Sequence, residues 1–208
     1  MTNAAIGRRS VLGAAGLLMT GSAPALAASD KPRVVIKTNH GSIIVELEAR
    51  RAPITTSNFL HYVDAEKYDA GSFYRASRTP GAPTEGAIVG GPDAKMRRFA
   101  PVAHESTQMT GLRHTTGTIS LGRYAPGTAT ADFFICASPE PYLDAHPGAR
   151  GDNLGFAAFG QVVTGMSVVR TILALPTPGK SPFPEMKGQW LKPTVPILSM
   201  RRVSAPQS

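Results

Sequence analysis

The sequence predicts an all-β domain, a closed antiparallel barrel or a sandwich, with two helices set among its strands. Three observations predict it. Eight short segments alternate apolar and polar residues or form brief apolar runs, only two segments carry helical periodicity, and 21 glycines and 18 prolines punctuate the 208 residues without a collagen-like period. An apolar fraction of 42% with 17% charged residues is ordinary globular usage, enough for one domain with its own core. The formal charge of +8 would suit nucleic acid or an anionic surface, but the basic residues are scattered and cluster only as pairs, so no nucleic-acid partner is expected.

Residues 1–27 are set apart from this domain as an export signal. Arg8 and Arg9 precede an apolar run from Val11 to Met19, and Ala25-Leu26-Ala27 is an A-x-A cleavage site. The arginine pair followed by Ser10, Val11 and Leu12 looks like a twin-arginine signal, with an ordinary secretory peptide as the alternative. The run is shorter than the roughly 20 residues a bilayer needs, so stable membrane insertion is not expected. The mature chain would start near Ala28, outside the bacterial inner membrane. Residues 28–203 are expected to form the domain and residues 204–208 a disordered tail.

Along the domain, RVVIKT (33–38) and GSIIVELE (41–48) flank Asn39-His40-Gly41-Ser42 and read as a β-hairpin. Residues 52–68 place Ile54, Phe59 or Asn58, Tyr62 and Val63 at helical spacing, with Pro53 suited to a first turn. Strands follow at GSFYRA (71–76), GAIVGG (86–91), GTISLGR (117–123), ADFFICAS (131–138) and GFAAFGQVV (155–163). MSVVRTILAL (166–175) is a second helix with Thr164 as N-cap and Pro176 past its end, and VPILSMRRV (195–203) closes the set.

Familiar catalytic constellations are missing. There is no G-x-S-x-G, no P-loop and no histidine pair at metal-ligand spacing, so neither cofactor nor metal is expected; His40, His61, His104, His114 and His146 carry no motif. The single cysteine, Cys136, reads as a small buried hydrophobe. Asp144 reads as a turn cap before a Gly, Pro and Asp loop. By residue type alone Arg75 is a strand-edge charge, and Phe133 and Phe134 alternate so that at least one is core.

Taken in order, residues 34–75, Gly90-Gly91, GTISLGR, GTATADFFI, Tyr142-Leu143-Asp144 and FAAFGQVVTGMSVVRTI resemble the cyclophilin-type peptidyl-prolyl isomerases over nearly all of residues 33–203. The resemblance implies a closed eight-stranded antiparallel β-barrel capped by two α-helices. It also implies that Phe73-Tyr74-Arg75 ends the strand that delivers the catalytic arginine, Arg75, to an open groove. Phe134 would floor the proline pocket and Leu143 would wall it. Gly122 and Arg123 would offer main-chain groups, and Ile88, Val89, Asp132, Tyr142 and Phe156 would complete the substrate-binding set.

The implied chemistry needs no covalent step. A prolyl amide resists rotation by about 18 to 20 kcal/mol because its nitrogen lone pair is delocalised, and a guanidinium hydrogen-bonded to that nitrogen favours the twisted state alone. Four positions depart from the family pattern: Val89 for a glutamine, Asp132 for another glutamine, Tyr142 for a tryptophan and Phe156 for a histidine. The carboxylate of Asp132 is expected to form a bidentate pair with Arg75. Two functions follow: a prolyl isomerase assisting folding of exported proteins, or a module that grips proline-containing segments with little turnover. A monomer is expected in either case.

Overall fold

A computed structural model describes residues 1–2 and 31–203. The expected export signal, apart from its first two residues, and the expected tail lie outside the described residues.

Alternation builds the first strands. β1 (Arg33–Thr38) and β2 (Gly41–Leu47) turn Val34, Ile36, Ile43, Val45 and Leu47 to one side, where all are buried. The turn between them is closed by Thr38, whose hydroxyl donates to the Gly41 carbonyl at 2.8 Å and accepts from the His40 amide at 3.0 Å.

Helix α1 (Pro53–Asp64) lacks a side-chain cap from its own N-terminal residue, Ala52. A buried glutamate fifty residues away replaces it: Glu105 accepts from the amides of Ile54 at 3.1 Å and Thr55 at 2.7 Å. The helix buries Thr55, Thr56, Asn58, Phe59, Leu60, Tyr62 and Val63, whereas Ile54, expected on that face, is exposed. It also ends earlier than the spacing suggested, because Glu66 and Ala70 adopt left-handed φ angles of 52° and 64° and the chain turns there.

The remaining elements are β3 (Ser72–Thr79), β4 (Ala82–Gly91), a one-turn α2 (Thr107–Thr110), β5 (Thr118–Leu121), β6 (Phe133–Cys136), β7 (Ala157–Thr164), α3 (Met166–Ala174) and β8 (Trp190–Val203). Two 3₁₀ turns lie at Pro141–Leu143 and Pro184–Met186. The expected N-cap of α3, Thr164, is the last residue of β7; Gly165 caps instead, at φ 95°. A Cβ there would stand 2.3 Å from the Ser42 carbonyl oxygen, so glycine is required. The short α2, held by its N-cap Ser106, had no periodicity to announce it.

Pairing runs β1-β2-β7-β5-β6-β4-β3-β8 and closes on β1, a barrel and not a sandwich. Helix α1 packs against β7 and β8, and α3 against β2, β3 and β4. One large core fills the interior around Phe59, Tyr62, Tyr68, Phe73, Phe133 and Phe159. A second, smaller apolar cluster is separate from it: Ala87 and Val89 of β4 with Phe134 and Cys136 of β6, packed by Tyr74, Leu143 and Phe156. Strand alternation explains the split, since Ile88, Phe133 and Ile135 point inward while their sequence neighbours point out. Burial on both faces of β4 and β6 therefore marks where something covers the barrel wall.

Candidate active site

That covered wall carries a cavity of about 230 Å³, bordered by β3, β4, β6, the loop after β5, the Pro141–Leu143 turn and the connection from α3 to β8. Arg75, Val89, Gly122, Arg123, Asp132, Phe134, Tyr142, Leu143 and Phe156 all line it. Ile88 does not. It is fully buried inside the barrel, because its neighbours Ala87 and Val89 take the outward positions on β4.

The apolar part of the cavity is formed by rings. Phe134 and Phe156 meet edge to face, with centroids 5.3 Å apart and planes at 90°, and Leu143 packs beside them. Phe134 is 6% exposed. Cys136 lies behind it as a free, fully buried thiol, and burial pushes its pKa well above the ordinary value.

Arg75 stands next to this patch, opposite Val89 across the β3–β4 pairing. It is half-buried rather than fully open, because the connection between α3 and β8 leans over it. Its Nη1 donates to the Met186 thioether at 2.8 Å, and its Nε has no acceptor among the described residues. Burial lowers its pKa, with the neighbouring Tyr74 and Tyr142 acting the other way; it remains charged at neutral pH.

The expected pair between Asp132 and Arg75 is not formed. Asp132 faces Arg98 instead, at 3.0 Å, and accepts from the Tyr74 hydroxyl at 3.3 Å. Burial pushes the Asp132 carboxyl above its ordinary range, and Arg98 pulls against that shift. Arg98 lies outside every predicted element, which left its proximity invisible in the sequence. Among the described residues no carboxylate is paired with Arg75, so its charge faces the cavity without a fixed counter-ion.

Gly122 spends its amide on the Asp132 carbonyl, at 2.7 Å. The Arg123 side chain is turned away to hold the loop that carries Phe156. Its Nε donates to the Gly155 carbonyl at 2.9 Å, its Nη2 reaches Asp152 at 2.9 Å, and its guanidinium lies 5.2 Å from the Phe156 ring centre. Main-chain groups are therefore what Arg123 has left to offer a ligand.

Two parts of the site escaped the sequence. One is a buried relay under the ring pocket: Asp144 Oδ1 lies 2.7 Å from His114 Nδ1, and His114 Nε2 lies 3.0 Å from the Ser120 hydroxyl. His114 stacks on Phe134 with planes 17° apart, and Ser120 is the register partner of Phe134 across β5 and β6. Asp144 thus does more than end a turn. Pairing register could have brought Ser120 to Phe134, but no spacing rule joins His114 to an aspartate thirty residues away. The other part is the connection carrying Phe183 and Met186, which has no periodicity at all, together with Trp190 at the start of β8.

Comparison with known proteins places this geometry. Residues 33–202 match the family model described as cyclophilin type peptidyl-prolyl cis-trans isomerase/CLD. The chain is 34% identical over 171 residues to peptidyl-prolyl cis-trans isomerase A of Dickeya dadantii, covering 80% of this chain and 84% of that one. It is 37% identical over 166 residues to a peptidyl-prolyl cis-trans isomerase of Acinetobacter baylyi, covering 78% and 80%. Isomerase B of Escherichia coli is 34% identical over 148 residues, covering 69% and 85%. A Cryptosporidium parvum cyclophilin-type isomerase structure shares the fold, with TM-score 0.64 and 21% identity over 85% of this chain and 99% of that one. The chain belongs to the cyclophilin-type peptidyl-prolyl cis-trans isomerases.

Proposed function

We propose that prolyl isomerisation runs at Arg75, with the proline ring of the substrate seated against Phe134, Leu143 and Phe156. One observation carries the reading: a cation with no carboxylate partner among the described residues, its buried Nε–H also unpartnered among them, borders an apolar ring pocket within a cavity of about 230 Å³. As the Xaa-Pro bond twists, the proline nitrogen pyramidalises and recovers its lone pair, and the guanidinium donates to it. The ground-state nitrogen, still conjugated, is a poor acceptor, so the bond favours the transition state over the substrate. A charge-assisted hydrogen bond of roughly 1.5 to 3 kcal/mol corresponds to about ten- to a hundredfold in rate.

The division of labour is testable by separating kcat from KM. Phe134→Ala empties the floor of the ring pocket and is expected chiefly to raise KM. Arg75→Lys keeps the charge but loses the planar fork, and is expected chiefly to lower kcat. The reverse pattern would reject the assignment. Val89, apolar where a hydrogen-bonding side chain would serve, gives the substrate backbone one partner fewer and favours a modest turnover.

The protein acts on proline-containing segments of exported clients, in this reading, after its own export. Support comes from Arg8-Arg9, the short apolar run and Ala25-Leu26-Ala27. Replacing Arg8 and Arg9 by lysine is expected to hold the chain in the cytoplasm. Undiminished export of that variant would leave only the ordinary secretory route, and a chain kept inside without any substitution would reject export itself.

A further inference from the structure

The connection between α3 and β8 is pinned at its base and loose at its tip. At the base, the Arg78 guanidinium donates to the carbonyls of Leu173, at 2.8 Å, and Leu175, and the Thr177 hydroxyl donates to the Gly188 carbonyl at 2.6 Å. Gly179 pairs with Trp190, and the Ala76 amide of β3 donates to the Gln189 carbonyl at 2.9 Å. Residues 180–187 differ. Apart from the Met186 thioether, their described hydrogen bonds stay within the segment or reach its own flank: Ser181 with Phe183, Met186 to Phe183, Lys187 to Pro184, and the Gln189 amide to the Met186 carbonyl at 3.2 Å. One described hydrogen bond and one described ring pair tie the tip to the barrel, the Met186 thioether on Arg75 and the Phe183 ring against Tyr124, centroids 6.3 Å apart.

Those two contacts lie on opposite banks of the cavity. Arg75 belongs to β3 and Tyr124 to the loop after β5, and both line the same cavity with Phe183 and Met186. The tip therefore spans the groove. We propose that residues 180–187 form a lid whose Met186 covers Arg75 and occupies its Nη1 until a substrate peptide displaces it, with Phe183 and Tyr124 as the latch. The inference rests on the assignment of Arg75 as the catalytic group.

The chemistry favours displacement. A thioether is a weak acceptor, so Met186 shields the guanidinium from water without binding it as a carboxylate would. A peptide carbonyl, or the pyramidal proline nitrogen, is a better acceptor and wins the donor. The backbone suits a body that swings as a unit: Pro182 and Pro184 stiffen the tip, while Gly179 and Gly188 flank it, Gly188 at φ 77°. The latch ring Tyr124 is 79% exposed, so opening it uncovers little further apolar surface.

The test is steady-state isomerisation of a short Xaa-Pro peptide by Met186→Ala, Met186→Gln and Phe183→Ala, each alone and combined with Arg75→Ala. Met186→Ala and Phe183→Ala are expected to raise kcat/KM by roughly two- to tenfold. Met186→Gln, which offers Arg75 a stronger amide acceptor, is expected to lower it. All three effects should vanish when Arg75 is alanine. Melting temperatures of each variant control for folding, and since Met186→Ala and Met186→Gln are predicted to move the rate in opposite directions, a common loss of stability cannot imitate the result. Met186→Ala at or below the parent rate, beside an impaired Arg75→Ala, would overturn the lid alone. An Arg75→Ala variant as fast as the parent would overturn the lid together with the Arg75 assignment.

Discussion

His114 and Asp144 form a buried pair directly behind the ring pocket, Nδ1 to Oδ1 at 2.7 Å, and the His114 ring lies parallel to Phe134 with centroids 5.7 Å apart. Asp144 also accepts from the His114 main-chain amide at 3.0 Å. One carboxylate thus fixes both the position and the tilt of the ring that supports Phe134, and it directly follows Leu143, the pocket wall. The floor and the wall of the pocket share one brace.

The brace makes stability depend on pH. Burial lowers the His114 pKa from its ordinary 6.5, with Asp144 opposing. The unfolded chain then binds a proton that the folded chain refuses, between about 6.5 and the lower folded value, so stability is full above that window and falls as pH drops through it. Urea unfolding of the parent between about pH 5 and 7.5 should show this loss, at most about 1.4 kcal/mol per pH unit for one proton. His114→Gln should flatten the slope. A variant with the parent's slope would show that another group titrates there.

Helix α1 depends on a cap supplied from far along the chain. Glu105→Gln replaces a charged acceptor at the amides of Ile54 and Thr55 by a neutral one, and Glu105→Ala removes it. Losses of about 1 kcal/mol for Gln and about 2 to 3 kcal/mol for Ala are expected from chemical denaturation. Glu105→Ala with the parent's midpoint would mean that water caps the helix equally well.

Gly86 sets the start of the outward-facing run on β4. Its φ is 126°, and a Cβ would stand 2.0 Å from the Ser77 carbonyl oxygen, a backbone atom of the partner strand that cannot step aside. Gly86→Ala is expected to cost more than about 2 kcal/mol. It should also disturb the pairing of Arg75 with Val89 three residues further on, visible as a lower kcat/KM in whatever fraction folds. Unchanged melting would refute the strain.

The eight strands and two main helices were legible because each rests on local pattern: alternation in β1 and β2, Pro53 before an apolar face, glycines at the turns. Closure into a barrel was not. It is a matter of β8 pairing with both β1 and β3, which came from the resemblance to the cyclophilin-type isomerases and not from periodicity. Within the site, Phe134 and Leu143 could be placed by their words in the sequence. Ile88 lies one strand step from the pocket position, which puts its side chain on the opposite face of the sheet. Asp132 pairs with Arg98 and not with Arg75, and Arg98 sits in an irregular segment where no period fixes a position. The lid and the His114 brace were hidden for the same reason: both join residues distant in sequence through contacts that only the folded barrel creates.

Arg75→Ala tests the role of Arg75 in catalysis directly. The rate of isomerisation of an Xaa-Pro peptide should fall at least about tenfold in kcat/KM, as the loss of one charge-assisted bond made only in the transition state requires. Melting and circular dichroism should stay close to the parent, since Arg75 is half-buried and its described side-chain hydrogen bond goes only to the weak acceptor Met186. A folded Arg75→Ala protein that turns over at the parent rate would contradict a catalytic role for Arg75.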